Sequence, residues 1–406
     1  MTTEPDIDST AAKLRHLLTS RLVGDGWLHS PQWRAAVEAV PRHEFVRRFY
    51  RESDSPGLTT WTPVTAELVG VEEWLRQAYT DDTLITQFDG REIDWSDPQP
   101  ISNAHPTSSS TLPALVVRML EELQVQDGMT VLEIGTGTGY STALMCHRLG
   151  AERVSSIETD PDVADRARDA LDRCGYAPRL IVRDGLAGDS EGAPYDRTIA
   201  TCGVRHVPRP WVQQTRPGGL ILATLRGWMR SLGLVRLTVD RTGRAEGRFI
   251  ADDPSFMIAR QQEAPLNLGM IPAPDDGTTR STPHGPGLLG MPDSGFVAQL
   301  AMPGARFFSM PTHDGTPGTY VIDATNGSFA VLTPKGDGEW TVRQGGLITL
   351  WDEFEQSLAV WHTAGSPPPT AFGVTVTPQR QCVWLGSPGG PNWRLPTATQ
   401  APADTA

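Results

Sequence analysis

A glycine-rich segment, VLEIGTGTGYSTAL over residues 131–144, is the first part of the sequence that predicts chemistry. An apolar run is followed at once by closely spaced glycines and then by helix-forming residues. The loop residues are Gly135, Thr136, Gly137 and Gly139. Glycine adopts φ > 0 and has no Cβ, so such a loop can turn sharply and let a ligand approach the main chain. A strand, spaced glycines and a helix in this order predict a nucleotide-binding turn.

Two acidic residues follow the loop at spacings that suit a nucleoside. Glu158 ends the next β-rich run, RVSSIE, about 20 residues after the last glycine, where a carboxylate can accept hydrogen bonds from ribose hydroxyls. Asp184 and Gly185 end the third run, LIVRDGL, at a position suited to the exocyclic amine of adenine. Asp-Gly is also an ordinary turn signal, and this alternative stays open.

The residue before the loop distinguishes between cofactors. The dinucleotide pattern GxGxxG places a pyrophosphate at a helix N-terminus, whereas this loop has the pattern GxGxG and follows Glu133. A carboxylate beside the loop would repel a phosphate, but it would suit a ligand with an amino group or a sulfonium. The sequence therefore favours S-adenosylmethionine over NAD, with Glu133 as a cofactor-binding residue. The alternative is that Glu133 is a capped, solvated loop residue.

The surrounding sequence divides into three regions that would position this loop. Residues 1–100 have helical signals, among them SPQWRAAVEAV, in which Ser30 is a candidate N-cap and Pro31 the first helical residue. Residues 101–250 alternate helical stretches with short β-rich runs, which indicates an α/β fold with a mainly parallel sheet. Residues 251–406 predict an α+β extension of short antiparallel strands and one amphipathic helix, with a frayed tail after Leu395.

Composition excludes several other classes of protein. The formal net charge of −13 argues against sequence-independent nucleic-acid binding, which needs a basic surface. No run approaches the about 18 uninterrupted apolar residues of a membrane span, and the first residues do not resemble a secretory signal. The four cysteines are scattered without a CxxC pair, so neither a metal site nor a disulfide framework is expected. These features predict a cytoplasmic protein.

Several further segments resemble the protein-L-isoaspartate O-methyltransferases. They are VLEIGTGTGYSTAL, IETDPDVADRARDAL, RDGLAG, APYDRTIATCGVRHVPRPWVQQTRPGGLIL and the upstream VPRHEFV, and the resemblance covers about residues 35–225. It implies a Rossmann-like class I fold and the transfer of a methyl group from S-adenosylmethionine to a carboxylate of a damaged aspartyl residue. The methyl ester then collapses to a succinimide.

The resemblance also implies where the substrate carboxylate binds. The family has a segment of S-x-P type before the helix that precedes the first strand of the methyltransferase sheet, and the match here is Thr111-Leu112-Pro113. Thr111 and Ser110 are therefore the predicted catalytic residues, with Ser109 as a substrate contact. The alternative is that Ser110 or Thr111 only caps the helix that follows.

Two departures from the family pattern bear on the substrate. The segment after the fourth strand, usually a run of small residues, is TCGVRHVPRP here, so Cys202 and His206 are predicted to contact substrate. The C-terminal region is also additional to a minimal repair enzyme. This layout is similar to the subgroup associated with lanthipeptide and graspetide biosynthesis, which implies methylation of an aspartate in a ribosomally made precursor peptide and formation of an aspartimide. The alternatives are general isoaspartyl repair, a non-catalytic protein that binds the cofactor or a leader peptide, and lastly a dehydrogenase.

Overall fold

The computed structural model describes residues 7–53, 59–251, 256–265 and 271–396. The chain divides into two compact units, the first formed by Met1–Thr201 and Pro210–Leu222, the second by Cys202–Arg209 and Ala223–Ala406. This division differs from the one predicted at residues 100 and 250. The N-terminal region shares a unit with the glycine loop, and the second unit already includes the residues after Leu222.

The helices of the first unit confirm the helical signals. They are α1 (Ile7–Gly24), α2 (Pro31–Ala39), α3 (Arg42–Phe45), α4 (Ala66–Val69), α5 (Val71–Ala78), α6 (Pro113–Glu122), α7 (Tyr140–Leu149), α8 (Pro161–Arg173) and α9 (Arg209–Gln214). Ser30 occupies the N-cap position of α2, with Pro31 following it, but its side chain makes no cap hydrogen bond. The Ser30 hydroxyl instead donates to the carboxylate of Glu121 on α6 at 3.0 Å, so it links two helices.

The N-terminal region also contains an antiparallel sheet that the sequence did not predict. Its strands are β1 (Arg48–Ser53), β2 (Thr60–Thr65), β3 (Leu84–Phe88), β4 (Ile101–Ser102) and β5 (Pro106–Ser110), in the order β4-β2-β1-β3-β5. The N-terminal region predicted to be helical therefore contains strands in addition to its helices. These strands are short, and β5 is almost entirely hydroxyl-bearing, so none shows the apolar alternation that identifies a half-buried strand.

The predicted, mainly parallel sheet is confirmed, and the order of its strands creates a site. The strands are β6 (Val131–Ile134), β7 (Val154–Glu158), β8 (Arg179–Val182), β9 (Tyr195–Val204) and β10 (Thr215–Arg226), with neighbours in the order β10-β9-β6-β7-β8. β6 pairs in parallel with β7 on one side and with β9 on the other. The chain order reverses beside β6, and ligands of open α/β sheets bind at the carboxyl ends of strands at such a reversal.

The second unit is mainly antiparallel, as predicted. Its strands are β11 (Ser231–Val239), β12 (Ala245–Ala251), β13 (Thr278–Thr282), β14 (Ala305–Pro311), β15 (Pro317–Asp323), β16 (Phe329–Gly336), β17 (Glu339–Gly345), β18 (Phe372–Val376), β19 (Gln381–Leu385) and β20 (Asn392–Arg394). One group has the order β20-β19-β18-β12-β11, and a second sheet has the order β13-β17-β16-β15-β14. β18 and β19 pair in antiparallel fashion.

Two helices of the second unit, α10 (Pro292–Ala301) and α11 (Leu350–Thr363), pack against each other. α11 confirms the predicted amphipathic helix and buries Trp351 and Phe354 completely. Leu347 precedes the helix and is 86% exposed. The tail predicted to fray after Leu395 lies, from residue 397 on, outside the described residues. None of the helices within the described ranges is long and apolar enough to cross a membrane.

Candidate active site

The glycine loop after β6 has the backbone conformation that its sequence predicted. Gly135, Gly137 and Gly139 have φ values of +97°, +55° and +88°, a region that residues with a Cβ rarely adopt. Gly139 is the N-cap residue of α7. The main-chain N–H groups of Gly135 and Thr136 donate to the carbonyl oxygen of Ile157 at 2.8 and 3.1 Å. The loop is therefore held against the end of β7.

Gly137 connects three parts of the predicted site. Its N–H donates to Oε2 of Glu158 at 2.9 Å. A Cβ added to Gly137 would lie 3.4 Å from the carbonyl oxygen of Ser109. The cofactor loop, the acidic residue after β7 and the hydroxyl-bearing segment of β5 thus meet at one glycine, although they are far apart in sequence.

Glu133 is completely buried beneath this loop. Its carboxylate accepts hydrogen bonds from the hydroxyls of Ser141 and Thr142 at the start of α7, and from the hydroxyl of Ser156 on β7 at 2.7 Å. Burial raises the pKa of Glu133, and these three hydrogen bonds partly oppose that shift. The alternative of a solvated loop residue is therefore wrong. The predicted cofactor contact stays a prediction, and in this geometry Glu133 fixes the position of α7 relative to the sheet.

Glu158 has a different environment, at the edge of the crevice. In addition to the Gly137 N–H, its carboxylate accepts from the N–H groups of Thr159 at 2.9 Å and Asp160 at 3.1 Å. These main-chain donors fix the side chain, which is 9% exposed, at the carboxyl end of β7. Its predicted contact with ribose hydroxyls stays a prediction and fits this position.

Asp184 and Gly185 follow β8, as predicted. The exposed carboxylate of Asp184 accepts a hydrogen bond from the N–H of Leu186 at 2.9 Å, so the residue does form the turn that was the alternative reading. A Cβ on Gly185 would lie 2.5 Å from Cγ2 of Ile134, and its carbonyl accepts from the indole N–H of Trp211 at 2.8 Å. Gly185 is therefore required by packing against the end of β6.

The side chain of Thr136 faces inward. Its Oγ1 lies 2.6 Å from Oγ of Ser156, and the residue is only 3% exposed. A cofactor contact of Thr136 would therefore involve its main chain, and it stays a prediction.

The segment Ser109–Thr111 ends β5 and leads into α6. The N-cap residue of α6 is Leu112, so the alternative that Ser110 or Thr111 caps this helix is wrong. The hydroxyl of Ser110 is 2% exposed and has no hydrogen-bond partner among the described residues. A buried hydroxyl without a partner costs about 1–3 kcal/mol, so an acceptor or donor from a ligand would be stabilising there. Thr111 is half-buried beside it.

Arg42 of the VPRHEFV segment holds this hydroxyl-bearing segment in place, a role that the sequence analysis did not find. Its guanidinium is fully buried and donates to the carbonyl oxygens of Ala78, Thr80, Asp82 and Thr111 at 2.7–3.4 Å. Desolvation lowers the pKa of Arg42 to about 10. A buried arginine bonded only to carbonyl oxygens gives no periodic signal in the sequence, so motif spacing could not assign its partners.

Thr201, on β9, is a second residue that the sequence analysis missed. Its hydroxyl donates to the carbonyl oxygens of Ile134, at 3.0 Å, and Gly135. A Cβ on Gly135 would lie 2.8 Å from this hydroxyl oxygen. Thr201 therefore supports the first turn of the glycine loop from the neighbouring strand.

The two predicted substrate contacts, Cys202 near the end of β9 and His206 just after it, belong to the second unit. Cys202 is half-buried. The ring of His206 lies 3.4 Å from the side-chain nitrogen of Gln262. Burial, followed by the nearby Arg205 cation, lowers the pKa of His206 below its usual value. Their predicted contacts with substrate stay predictions.

The fold and the glycine loop define a class I methyltransferase that uses S-adenosylmethionine. The family model described as protein-L-isoaspartate(D-aspartate) O-methyltransferase matches residues 76–239. A protein-L-isoaspartate O-methyltransferase of Hyperthermus butylicus is 31% identical over 245 residues, which cover 58% of this chain and 83% of that protein. The corresponding enzyme of Methanopyrus kandleri is 30% identical over 57% of this chain and 86% of its own length. The chain belongs to the protein-L-isoaspartate O-methyltransferase family.

A solved structure titled protein-L-isoaspartate O-methyltransferase extends the likeness beyond the family model. It is 20% identical, has a TM-score of 0.50, and covers 92% of this chain and 100% of its own. This identity supports a likeness of fold alone. Because the alignment covers 92% of this chain, it includes residues after position 239, where the family model ends. A C-terminal region after the methyltransferase domain is therefore not peculiar to the present chain.

Proposed function

We propose that this enzyme transfers a methyl group from S-adenosylmethionine to the side-chain carboxylate of an aspartyl residue in a ribosomally made precursor peptide. The resulting methyl ester would close to an aspartimide. The observation that carries the proposal is the close approach of the cofactor loop to the hydroxyl-bearing segment. A Cβ built on Gly137 would lie 3.4 Å from the carbonyl oxygen of Ser109. A methyl donor on the loop and a carboxylate on that segment would be adjacent.

The residues present fit the cofactor. The loop glycines allow a ligand to approach the main chain, and a Cβ at Gly137 would project toward Ser109. Glu158 would bind the ribose hydroxyls, and Asp184 would accept a hydrogen bond from the adenine amine. The main chain of the glycine loop would contact the remaining part of the cofactor. When bound, S-adenosylmethionine supplies an electrophilic methyl group on a sulfonium.

The chemistry needs positioning more than proton transfer. An aspartyl carboxylate has an ordinary pKa near 3.9 and is ionised at pH 7, so no general base is required. In this proposal the Ser110 and Thr111 hydroxyls donate to that carboxylate and orient one of its oxygens toward the methyl carbon. Alignment of two reactants can supply about 7–11 kcal/mol, more than a proton-transfer step would. Because opposite charges are neutralised on reaction, a pocket without water also favours the transfer.

The second step would proceed without catalytic groups from the protein. The backbone nitrogen of the residue after the aspartate attacks the ester carbonyl, a C–N bond forms and the C–OCH3 bond breaks. The amide proton leaves with the methoxide as methanol. Esterification thus converts a poor leaving group into a better one.

General repair of isoaspartyl residues is the second candidate, with the same chemistry. The relatives from Hyperthermus butylicus and Methanopyrus kandleri favour it, since both are named for isoaspartate and are covered over most of their length. The altered segment that contains Cys202 and His206 favours the first candidate, because it changes the part of the sequence that the family resemblance assigns to the isoaspartyl backbone.

Three peptides of one sequence would test the proposal and separate the candidates. They contain aspartate, isoaspartate or asparagine at one position, and each is incubated with the full-length enzyme and isotopically labelled S-adenosylmethionine. We expect base-labile label on the aspartyl peptide, with subsequent loss of methanol seen by mass spectrometry, and none on the asparagine control. Label on the isoaspartyl peptide alone would replace the proposal by the repair function. Absence of label from every peptide, including precursor peptides encoded near the gene, would refute both.

A further inference from the structure

Gln87 on β3 is a buried polar residue that lies between the cofactor side and the hydroxyl-bearing side of the candidate active site. It is only 1% exposed, and Ile85 and Phe88 on the same strand are buried apolar residues. Burial of an amide costs free energy unless the amide is hydrogen-bonded. The contacts of this side chain therefore indicate why a polar residue occupies the position.

Both ends of the Gln87 amide are hydrogen-bonded, each to a different part of the first unit. Nε2 donates to Oδ2 of Asp160 at 3.0 Å, and Oε1 accepts from the hydroxyl of Thr107 on β5 at 2.9 Å. The Thr107 hydroxyl oxygen in turn accepts from the main-chain N–H of Gly90 at 2.9 Å. The amide thus connects β5 to Asp160, which is the N-cap residue of α8.

The Asp160 end of this connection reaches the carboxylate predicted to bind ribose. The main-chain N–H of Asp160 donates to Oε1 of Glu158 at 3.1 Å, and Oε2 of Glu158 accepts from the Gly137 N–H at 2.9 Å. Oδ1 of Asp160 accepts from main-chain N–H groups at the start of α8. Asp160 is therefore held by α8 through one carboxylate oxygen and by Gln87 through the other.

The β5 end of the connection reaches the segment predicted to bind the substrate carboxylate. In the register of β3 with β5, Ile85 pairs with Ser109 and Gln87 with Ser108, and Thr86 is an additional residue between them. A bulge of this kind changes the direction of a side chain, and such bulges are frequent beside active sites. The side chain of Gln87 is thus fixed one residue before Ser109.

We propose that Gln87 is a positioning residue that fixes the segment Ser109–Thr111 relative to Glu158, and so aligns the substrate carboxylate with the methyl group of the cofactor. This proposal rests on the proposed function for the roles of that segment and of Glu158. Methyl transfer needs an in-line approach, and a misplacement of about 1 Å can lower a rate about 100-fold. Loss of the amide therefore lowers kcat more than it weakens the binding of either ligand.

Replacement of Gln87 by methionine tests this role, because methionine keeps the length of the side chain and removes both hydrogen bonds. The substrate is whichever of the aspartyl and isoaspartyl peptides accepts label. We expect Gln87→Met to lower kcat about 10- to 100-fold. The peptide KM and the Kd for S-adenosylhomocysteine should change about threefold or less. Gln77→Met is the matched control, because Gln77 also donates to a carboxylate, that of Glu73 on α5, and should keep the wild-type kcat.

An exchanged pair distinguishes positioning from packing. Gln87→Glu places a carboxylate opposite the carboxylate of Asp160 and should lower kcat as Gln87→Met does. In the double variant Gln87→Glu/Asp160→Asn the donor and the acceptor are exchanged, so the hydrogen bond can form again and the Thr107 hydroxyl keeps an acceptor. Asparagine caps helices about as well as aspartate, so α8 keeps its cap. We expect the kcat of the double variant to return to within about threefold of the wild-type value.

The outcomes separate this proposal from the proposed function. A wild-type kcat in Gln87→Met, or a double variant as slow as Gln87→Glu, would overturn the positioning role even if an aspartyl peptide is methylated. Label on the isoaspartyl peptide alone would replace the proposed function, and the same kcat comparison would still decide the role of Gln87.

If no peptide is methylated, the proposed function is refuted, and hydrogen exchange of the β5 amides with S-adenosylhomocysteine present decides the role of Gln87. Faster exchange in Gln87→Met and Gln87→Glu, with wild-type exchange regained in the double variant, would support it. Equal exchange in all four proteins would overturn it.

Discussion

The close approach of Gly135 to Thr201 predicts an energetic coupling that can be measured. Replacement of Gly135 by alanine places a Cβ 2.8 Å from the Thr201 hydroxyl oxygen, at a residue with φ of +97°. The left-handed backbone region costs a residue with a Cβ about 1–2 kcal/mol. Displacement of the Thr201 hydroxyl from the Ile134 and Gly135 carbonyls costs about 0.5–1.5 kcal/mol for each hydrogen bond. We expect Gly135→Ala to lower the free energy of unfolding by about 2–5 kcal/mol in total.

A double-mutant cycle isolates the contact from the backbone effect. In a Thr201→Ala background the obstructing hydroxyl is absent, so Gly135→Ala should cost only the about 1–2 kcal/mol of the backbone. Gly175→Ala is the control, because Gly175 has φ of +77° and nothing within 4 Å of an added Cβ. Urea denaturation would give the stabilities, and calorimetry with S-adenosylhomocysteine would give the accompanying loss of affinity. If the two substitutions are additive within about 0.5 kcal/mol, Thr201 does not support the loop as described.

Four further substitutions test individual residues of the site. Glu158→Gln should raise the Kd for S-adenosylhomocysteine about 10- to 100-fold by calorimetry, whereas the exposed Glu152→Gln should leave it unchanged. Thr111→Val should lower kcat about 10- to 100-fold without a change in cofactor affinity. A kcat equal to that of the wild type would exclude a catalytic role for the Thr111 hydroxyl. Ser110→Ala removes a buried hydroxyl without a described partner, so it should lower kcat while thermal stability is kept or increased; a large loss of stability would contradict this. The folded-state pKa of Glu133 is raised above its ordinary value of 4.5. The stability that this shift contributes is therefore fully present below about pH 4.5 and is lost as the pH rises through the folded-state pKa. Glu133→Gln should therefore flatten the pH dependence of unfolding above about pH 4.5, and an unchanged profile would exclude this carboxyl as the cause.

The parallel part of the fold was predictable because short β-rich runs alternate with helical stretches and end at distinctive loops. β6 and β7 follow this pattern closely, β9 is longer and includes Asp196 and Arg197, and these strands pair in parallel as expected. The N-terminal sheet was not predictable in the same way. The strand β5 reads PTSSS, and its register with β3 pairs Leu84 with Ser110, a contact that only the folded chain defines.

The candidate site also combines features that depend on local sequence with contacts that form only between distant segments. Backbone requirements are local, so the spacing of Gly135, Gly137 and Gly139 was sufficient to predict a left-handed loop, and the structure has one. Arg42 and Thr201 stabilise that site through carbonyl oxygens of distant segments. A carbonyl acceptor is present at every residue, so no side-chain pattern in the sequence identifies which of them an arginine or threonine will contact.

The two carboxylates beside the glycine loop illustrate why residue type and spacing leave such roles undecided. Glu133 lies one residue before the end of β6 and Glu158 ends β7, and both suit a cationic or hydroxyl-bearing ligand by their chemistry. Glu133 is fully buried and accepts from three side-chain hydroxyls, so its hydrogen-bonding capacity is directed into the protein and maintains the position of α7. Glu158 accepts from main-chain N–H groups, one of them on Gly137, and lies where the loop meets the crevice. Burial and the type of donor therefore assign the first carboxylate to supporting the loop, and they make the second the stronger candidate for direct contact with the nucleoside.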